Sequence, residues 1–233
     1  MKLDILAFAA HPDDVELSCS GTLAKEVFHG KKVGIVDLTQ GELGSRGSAA
    51  IRAIEANASS EILKLTVREN LKMDDGFFEE TKENLLAIVS AIRKYKPEIV
   101  LANAISDRHP DHGRGAALVS RACFLAGLVK IKTQQEPWRP KMVCHYIQDR
   151  YMKPDFIVDV SEYMSAKMES IRAFKSQFFD PNSEEPNTPI SGKEFMDFID
   201  ARARQFGREI GVEFGEGFTV ERPVGTNLLS EFI

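Results

Sequence analysis

Two short clusters carry the residue types from which a hydrolytic metal site is built. His11-Pro12-Asp13-Asp14 and His109-Pro110-Asp111-His112 together hold three of the five histidines, each beside carboxylates. Histidine and carboxylate ligands with one position left open are the pattern of catalytic zinc, whereas structural zinc is closed by four protein ligands and is rich in cysteine. Pro12 and Pro110 fix φ near -65° and hold each loop in one shape. A single HPDD reads equally well as a turn whose aspartate caps a helix. Two such clusters, each directly after an apolar strand, favour one shared metal site over two independent caps. His29 reads as a helix C-terminal residue favoured by the dipole, and His145 as a structural residue inside an apolar strand. Cys19, Cys123 and Cys144 have no CxxC spacing and sit in apolar segments, so they read as reduced core thiols.

The elements that must position these clusters follow from periodicity. Residues 3–10 form a continuous apolar run, a buried parallel strand ending at the first cluster. A helix with Val15, Leu17, Leu23, Ala24 and Val27 on its apolar face follows and ends at Gly30. Residues 32–39 read as a second strand, 40–48 as a Gly/Ser-rich loop and 49–63 as a second helix. A short strand near 65–68 leads through Met73-Asp74-Asp75-Gly76 to a helix closed by Pro97. Residues 98–103 form the next strand, 104–111 a loop, and 112–128 a helix. Further strands fall at 142–147 and 155–160, helices at 161–178 and 192–210, and an edge strand at 217–221. Residues 179–191, rich in Pro, Asn and Ser, read as a surface loop near the site. The alternation predicts an α/β fold: a single Rossmann-like, doubly wound, mostly parallel sheet with helices on both faces, in one domain over 1–233. In the strand order 3-2-1-4-5, strands one and four are neighbours where the winding reverses, and both clusters meet there.

Composition narrows the partners. The chain has 233 residues, 43% hydrophobic and 28% charged, with a formal net charge of -5. Nothing in that balance attracts phosphate backbones, so nucleic acid is excluded as a first expectation. No run approaches the ~20 apolar residues of a spanning helix, and the opening apolar run is too short for a signal segment, which points to a cytoplasmic protein without a membrane partner.

The motifs HPDD, Thr39-Gln40-Gly41-Glu42, Asp75-Gly76 and HPDH resemble, in order and spacing from Leu3 to about Leu128, the PIG-L (LmbE-like) zinc N-deacetylases. Ser176-Gln177-Phe178, Asp180-Pro181-Asn182 and residues 216–222 are similar to the bacterial branch that deacetylates N-acetylglucosaminyl malate in bacillithiol biosynthesis. The resemblance implies His11, Asp14 and His112 as zinc ligands, with iron(II) as the alternative metal. It also implies Asp13 as general base and a protonated His109 as electrostatic partner of the reacting carbonyl. Adjacent carboxylates cannot point the same way, which agrees with Asp14 ligating while Asp13 handles the proton. Asp111 could orient a histidine from behind. A homo-oligomer is implied by the branch alone.

Specificity is read from guanidinium groups, which bind carboxylates in bidentate fashion. Arg52 and Arg108 are the candidates for a malate aglycone, Asp75 (or Asp74) for sugar hydroxyls, and Glu42 for a further substrate contact. The expected activity is hydrolysis of the N-acetyl group of a small glucosaminyl conjugate, with release of acetate. The alternatives are a deacetylase of a chitooligosaccharide or mycothiol-type precursor, or a nucleotide-binding module without hydrolytic activity. The last is opposed by the first βα turn, which has no GxGxxG and places carboxylates where phosphates would bind.

Overall fold

In the computed structural model, which describes residues 1–228 and 230, the apolar runs at the centre of the sheet behave as strands covered on both faces must. Ile5–Ala9 (β1) and Val33–Thr39 (β2) are buried at every position. β1 lies between β2 and Ile99–Ala102 (β4), parallel to both. Val67–Met73 (β3) extends the sheet beyond β2, and Met142–Tyr146 (β5) beyond β4. The full order is β3-β2-β1-β4-β5-β7-β6, with Gly215–Val220 (β7) antiparallel to β5 and to Phe156–Asp159 (β6). The expected α/β architecture and the adjacency of strands one and four are thus present. The winding reverses between β1 and β4, which opens a crevice beyond their carboxyl ends.

Side-chain alternation assigns the two helical layers. Leu6, Phe8 and Ala10 share a core with Ile88 and Ile92 of Lys82–Tyr95 (α3) and with Leu118 and Val119 of Pro110–Ala126 (α4). Ile5, Ala7 and Ala9 pack on the opposite face with Val15, Cys19 and Leu23 of Asp14–Phe28 (α1). A third cluster, Ala56, Ile171, Phe174, Phe178 and Ile199, joins Ala49–Ile62 (α2), Met164–Arg172 (α5) and Lys193–Ile210 (α6). It holds α6 and the preceding loop beside the crevice. Among the described residues no helix is long and apolar enough to cross a membrane.

Three expectations are corrected. β3 runs to Met73 rather than stopping near residue 68, because its charged, half-buried sequence VRENLKM hides the strand period. The helix expected over 161–178 ends at Arg172 after a 3-10 turn at 161–163. Glu55 accepts from the Ser176 amide (2.6 Å) and hydroxyl (2.8 Å), satisfying that segment outside a helix. The C-terminal strand is interior, and β6 forms the edge instead. Glu216 on β7 explains the burial: helix α1 kinks at Cys19 (φ -139°), and the Glu216 carboxylate accepts from the Gly21 and Thr22 amides at 3.1 and 2.7 Å. Lys167 neutralises it at 2.6 Å, with both side chains 2% exposed.

Candidate active site

The first cluster turns the chain from β1 into α1. His11 and Pro12 leave the strand, and Asp13 caps α1 with φ 119° and ψ -22°, a region that L residues rarely adopt. Holding a non-glycine residue there costs on the order of 1–3 kcal/mol and requires a surround that enforces it. Arg52, reaching in from α2, supplies that surround. Its Nη2 donates to the Pro12 carbonyl and to Asp13 Oδ2 (2.8 Å), and its Nη1 to the Gly41 carbonyl (3.4 Å). Gly41 has φ 64°, and a Cβ there would collide with the guanidinium.

The second cluster caps α4. His109 Nδ1 accepts from the Asp111 amide at 3.3 Å, and Pro110 opens the helix, where a missing N–H costs nothing. Asp111 and His112 then face inward, and the three rings His11, His109 and His112 gather with centroids 4.6 to 5.7 Å apart. The crevice brings together the two clusters as their spacing predicts. Asp14 Oδ1 lies 3.0 Å from His112 Nε2, and Asp14 Oδ2 lies 3.6 Å from His11 Nδ1.

The opposite nitrogen of each of these two histidines meets a carboxylate. His11 Nε2 lies 3.0 Å from Asp75 and 3.3 Å from Asp111, and His112 Nδ1 lies 2.6 Å from Asp107. A carboxylate behind the imidazole is how metal-binding histidines are oriented and made more basic. The donor set of two imidazoles and one carboxylate suits zinc or iron(II). The groups whose donor atoms lie close enough together to share one ion are His11 with His109 and His112, and His11 with Asp75 and Asp111. The last is already occupied as a hydrogen-bond cluster: Asp111 also accepts from the Gly76 amide (2.9 Å) and pairs with Arg114 (2.8 Å).

Electrostatics separates the roles open to these groups. Burial pushes the Asp13 carboxyl up to about 7, with Asp14 and Glu16 adding to the shift and Arg52 opposing it. Burial also acts on Asp14, but His112 and His11 beside it hold it well below the usual carboxylate range. Against their own burial, Asp111, Asp14 and Asp75 raise His11 well above its ordinary value, and Asp14 and Asp107 raise His112 to about 9. His109 moves the other way, lowered by burial and by the charges of His11 and His112. Because its Nδ1 accepts a hydrogen bond, the neutral ring carries its proton on Nε2.

The remaining candidates fall as follows. A cleft of about 370 Å³ runs over the site, and its lining includes Gln148, Asp149 and Arg202 as well as the apolar Pro189, Ile190 and Phe195. Arg52 lines it, but is engaged with Asp13. Arg108 is at the rim, paired with Asp149 at 2.5 Å and 47% exposed. Glu42 accepts from the Asp75 and Gln40 amides (2.8 and 3.2 Å), so it shapes the loop that carries Asp75. Asp75 accepts from the Leu43 amide at 3.0 Å besides meeting His11. Asn103, Asp107, Gln148 and Arg202 were not singled out by sequence. The first three are polar residues just past strands β4 and β5, the signal that could have found them; Arg202, inside a helix, offers none.

The fold and this site define a class, and comparison with known proteins agrees. The chain belongs to the PIG-L family, described as GlcNAc-PI de-N-acetylase, whose profile matches residues 6–123. It is 30% identical over 189 residues to the diacetylchitobiose deacetylase of Thermococcus kodakarensis, covering 75% of this chain and 70% of that one. Its fold matches the conserved protein TT1542 from Thermus thermophilus with a TM-score of 0.88 and 35% identity, over 97% and 98% of the two chains. The N,N'-diacetylchitobiose deacetylase from Pyrococcus horikoshii matches with a TM-score of 0.80 and 26% identity, over 93% and 82%.

Proposed function

We propose that this protein is a metal-dependent N-deacetylase of a small N-acetylglucosaminyl conjugate, with zinc as the metal and N-acetylglucosaminyl malate of bacillithiol biosynthesis as the substrate. The observation that carries the reading is the convergence of His11, Asp14 and His112 in a cleft beside a second buried carboxylate, Asp13. The curated relative named above acts on an acetylated amino sugar, which supports the substrate class.

In this reading His11, Asp14 and His112 hold the ion, which when bound supplies Lewis-acid polarisation of the amide carbonyl and acidifies the attacking water. Asp13, poised near neutrality by its burial, accepts the proton of that water as its oxygen adds to the carbonyl carbon. His109 donates its Nε2–H to the carbonyl oxygen as negative charge develops there, a contribution of the oxyanion-hole kind. Asp13 then returns the proton to the nitrogen as the C–N bond breaks, releasing acetate and the free amine. Arg52 keeps Asp13 aimed and Asp111 and Asp75 orient His11. Arg108, whose exposed ion pair with Asp149 can exchange partners, is the receptor for an aglycone carboxylate.

A second amino-sugar reading, a chitooligosaccharide deacetylase, is favoured by the apolar lining of Pro189, Ile190 and Phe195, on which the CH face of another sugar ring could lie. Acetate release from matched conjugates decides between them. The malate reading expects N-acetylglucosaminyl malate to exceed diacetylchitobiose in kcat/KM, and Arg108→Ala to lower the malate rate about tenfold or more while sparing the neutral substrate. Parallel losses, or none, would move the assignment to a neutral aglycone.

A further inference from the structure

Gln148 lies in the loop after β5, outside residues 6–123 matched by the family profile, and is 4% exposed. Its Nε2 donates to Asp14 Oδ1 at 3.1 Å and lies 3.4 Å from His112 Nε2. Its Oε1 accepts from Asn103 Nδ2 at 3.0 Å and from the Ala104 amide at 3.1 Å. Those two donors fix which way the carboxamide points. Reversed, its NH2 would face two N–H groups and its oxygen would face a carboxylate, so only one orientation satisfies the site. Asn103 completes the arrangement: its Nδ2 also donates to Asp14 Oδ2 at 3.0 Å and its Oδ1 accepts from the Ala10 amide at 2.9 Å. The loop itself is tied down from α6. Arg202 donates to the Gln148 carbonyl and, at 2.8 Å, to the Leu17 carbonyl on α1, the helix that begins with Asp14.

We propose that Gln148 is a positioning residue of the metal site, holding the Asp14 carboxylate in one rotamer between His11 and His112. The inference rests on the assignment of His11, Asp14 and His112 as ligands. It follows from geometry: a carboxylate whose two oxygens each receive an oriented amide N–H cannot rotate away when the ion leaves, so the site is preformed.

Zinc affinity, measured by competition with a chromophoric chelator, tests this on wild type, Gln148→Met, Gln148→Ala and His112→Ala. Thermal melts of the four metal-free proteins accompany it. The expected result is a zinc Kd weakened about tenfold to a hundredfold in both Gln148 variants, the range for losing an outer partner of a ligand, and no measurable site in His112→Ala. Should Gln148→Met fail to fold, Gln148→Ala, which adds no bulk, carries the comparison. A side chain serving only the fold would lower the metal-free melting temperature and leave the zinc Kd of the folded protein unchanged. Zinc binding within twofold of wild type in a folded Gln148 variant, with the site lost in His112→Ala, overturns the role of Gln148 and leaves the ligand assignment standing. Wild-type affinity in His112→Ala overturns the ligand assignment itself, and this inference with it.

Discussion

Replacing Arg52 with methionine separates two jobs that a guanidinium beside this cleft could do. If its work is to bind a substrate carboxylate, the loss falls on anionic substrates at every pH. In the structure its nearest charge is Asp13 at 2.8 Å, with both side chains buried. An opposite charge at that range ordinarily lowers a carboxyl by about 1–3 units. Removing it leaves burial, Asp14 and Glu16 raising Asp13 against His11 alone, so its pKa moves above the value of about 7. The sign follows: Asp13 must be ionised to act as base, so raising its pKa reduces the active fraction below that pKa. The acidic limb of kcat/KM should move up by about 1–3 units, lowering the rate at pH 7, where the wild-type group is about half ionised, by roughly five- to five-hundredfold. At one pKa unit to 1.36 kcal/mol, the shift is about 1.4–4 kcal/mol. Acetate release followed from pH 5.5 to 10, with both the malate conjugate and N-acetylglucosamine, provides the assay. Partial recovery in alkali, for both substrates, is the expected signature. An acidic limb at the wild-type pH, with loss confined to the malate conjugate, would refute the pairing and return Arg52 to substrate recognition.

His109→Gln keeps a donor but not its position, and should lower kcat by on the order of 10² to 10³ with metal content unchanged, as metal analysis of the purified variant would show. Neighbouring carboxylates raise His11 and His112 in the metal-free protein, so zinc uptake competes with protons at both rings. Calorimetry in buffers of different ionisation enthalpy should register proton release on zinc binding at pH 7. Affinity should rise with pH through the range near 9 where His112 loses its proton; pH-independent affinity would contradict the ligand set. Glu216→Ala leaves Lys167 charged and buried and two α1 amides unpaired at the kink, and should cost about 3–5 kcal/mol in urea unfolding. A loss under 1 kcal/mol would show that the kink needs no partner.

What the sequence determined by itself is what is local. The β1 and β4 runs are apolar at nearly every position because both faces of the sheet are covered, and the clusters that follow them are contiguous in the chain. HPDD and HPDH were therefore legible together with the crevice that joins them. The alternation of elements gave the parallel order up to β5, where each strand is followed by a helix. Beyond that point the pattern lost its meaning: β7 reads as an edge strand until Glu216 is seen capping the α1 kink from 195 residues away. Tertiary structure alone decided the occupation of the site. Gln148 meets Asp14 across 134 residues and Asn103 meets it across 89, contacts that no period announces. Arg52 looked like a free cation, but folding buries it, and a buried charge takes the nearest carboxylate, here Asp13. His109 looked like an acid, but burial and the charges of His11 and His112 lower its pKa, and a backbone amide at its Nδ1 leaves Nε2 as the nitrogen that can donate. Residue types define which chemistry is available. Burial and neighbours, which exist only in the folded chain, set the proton on each group.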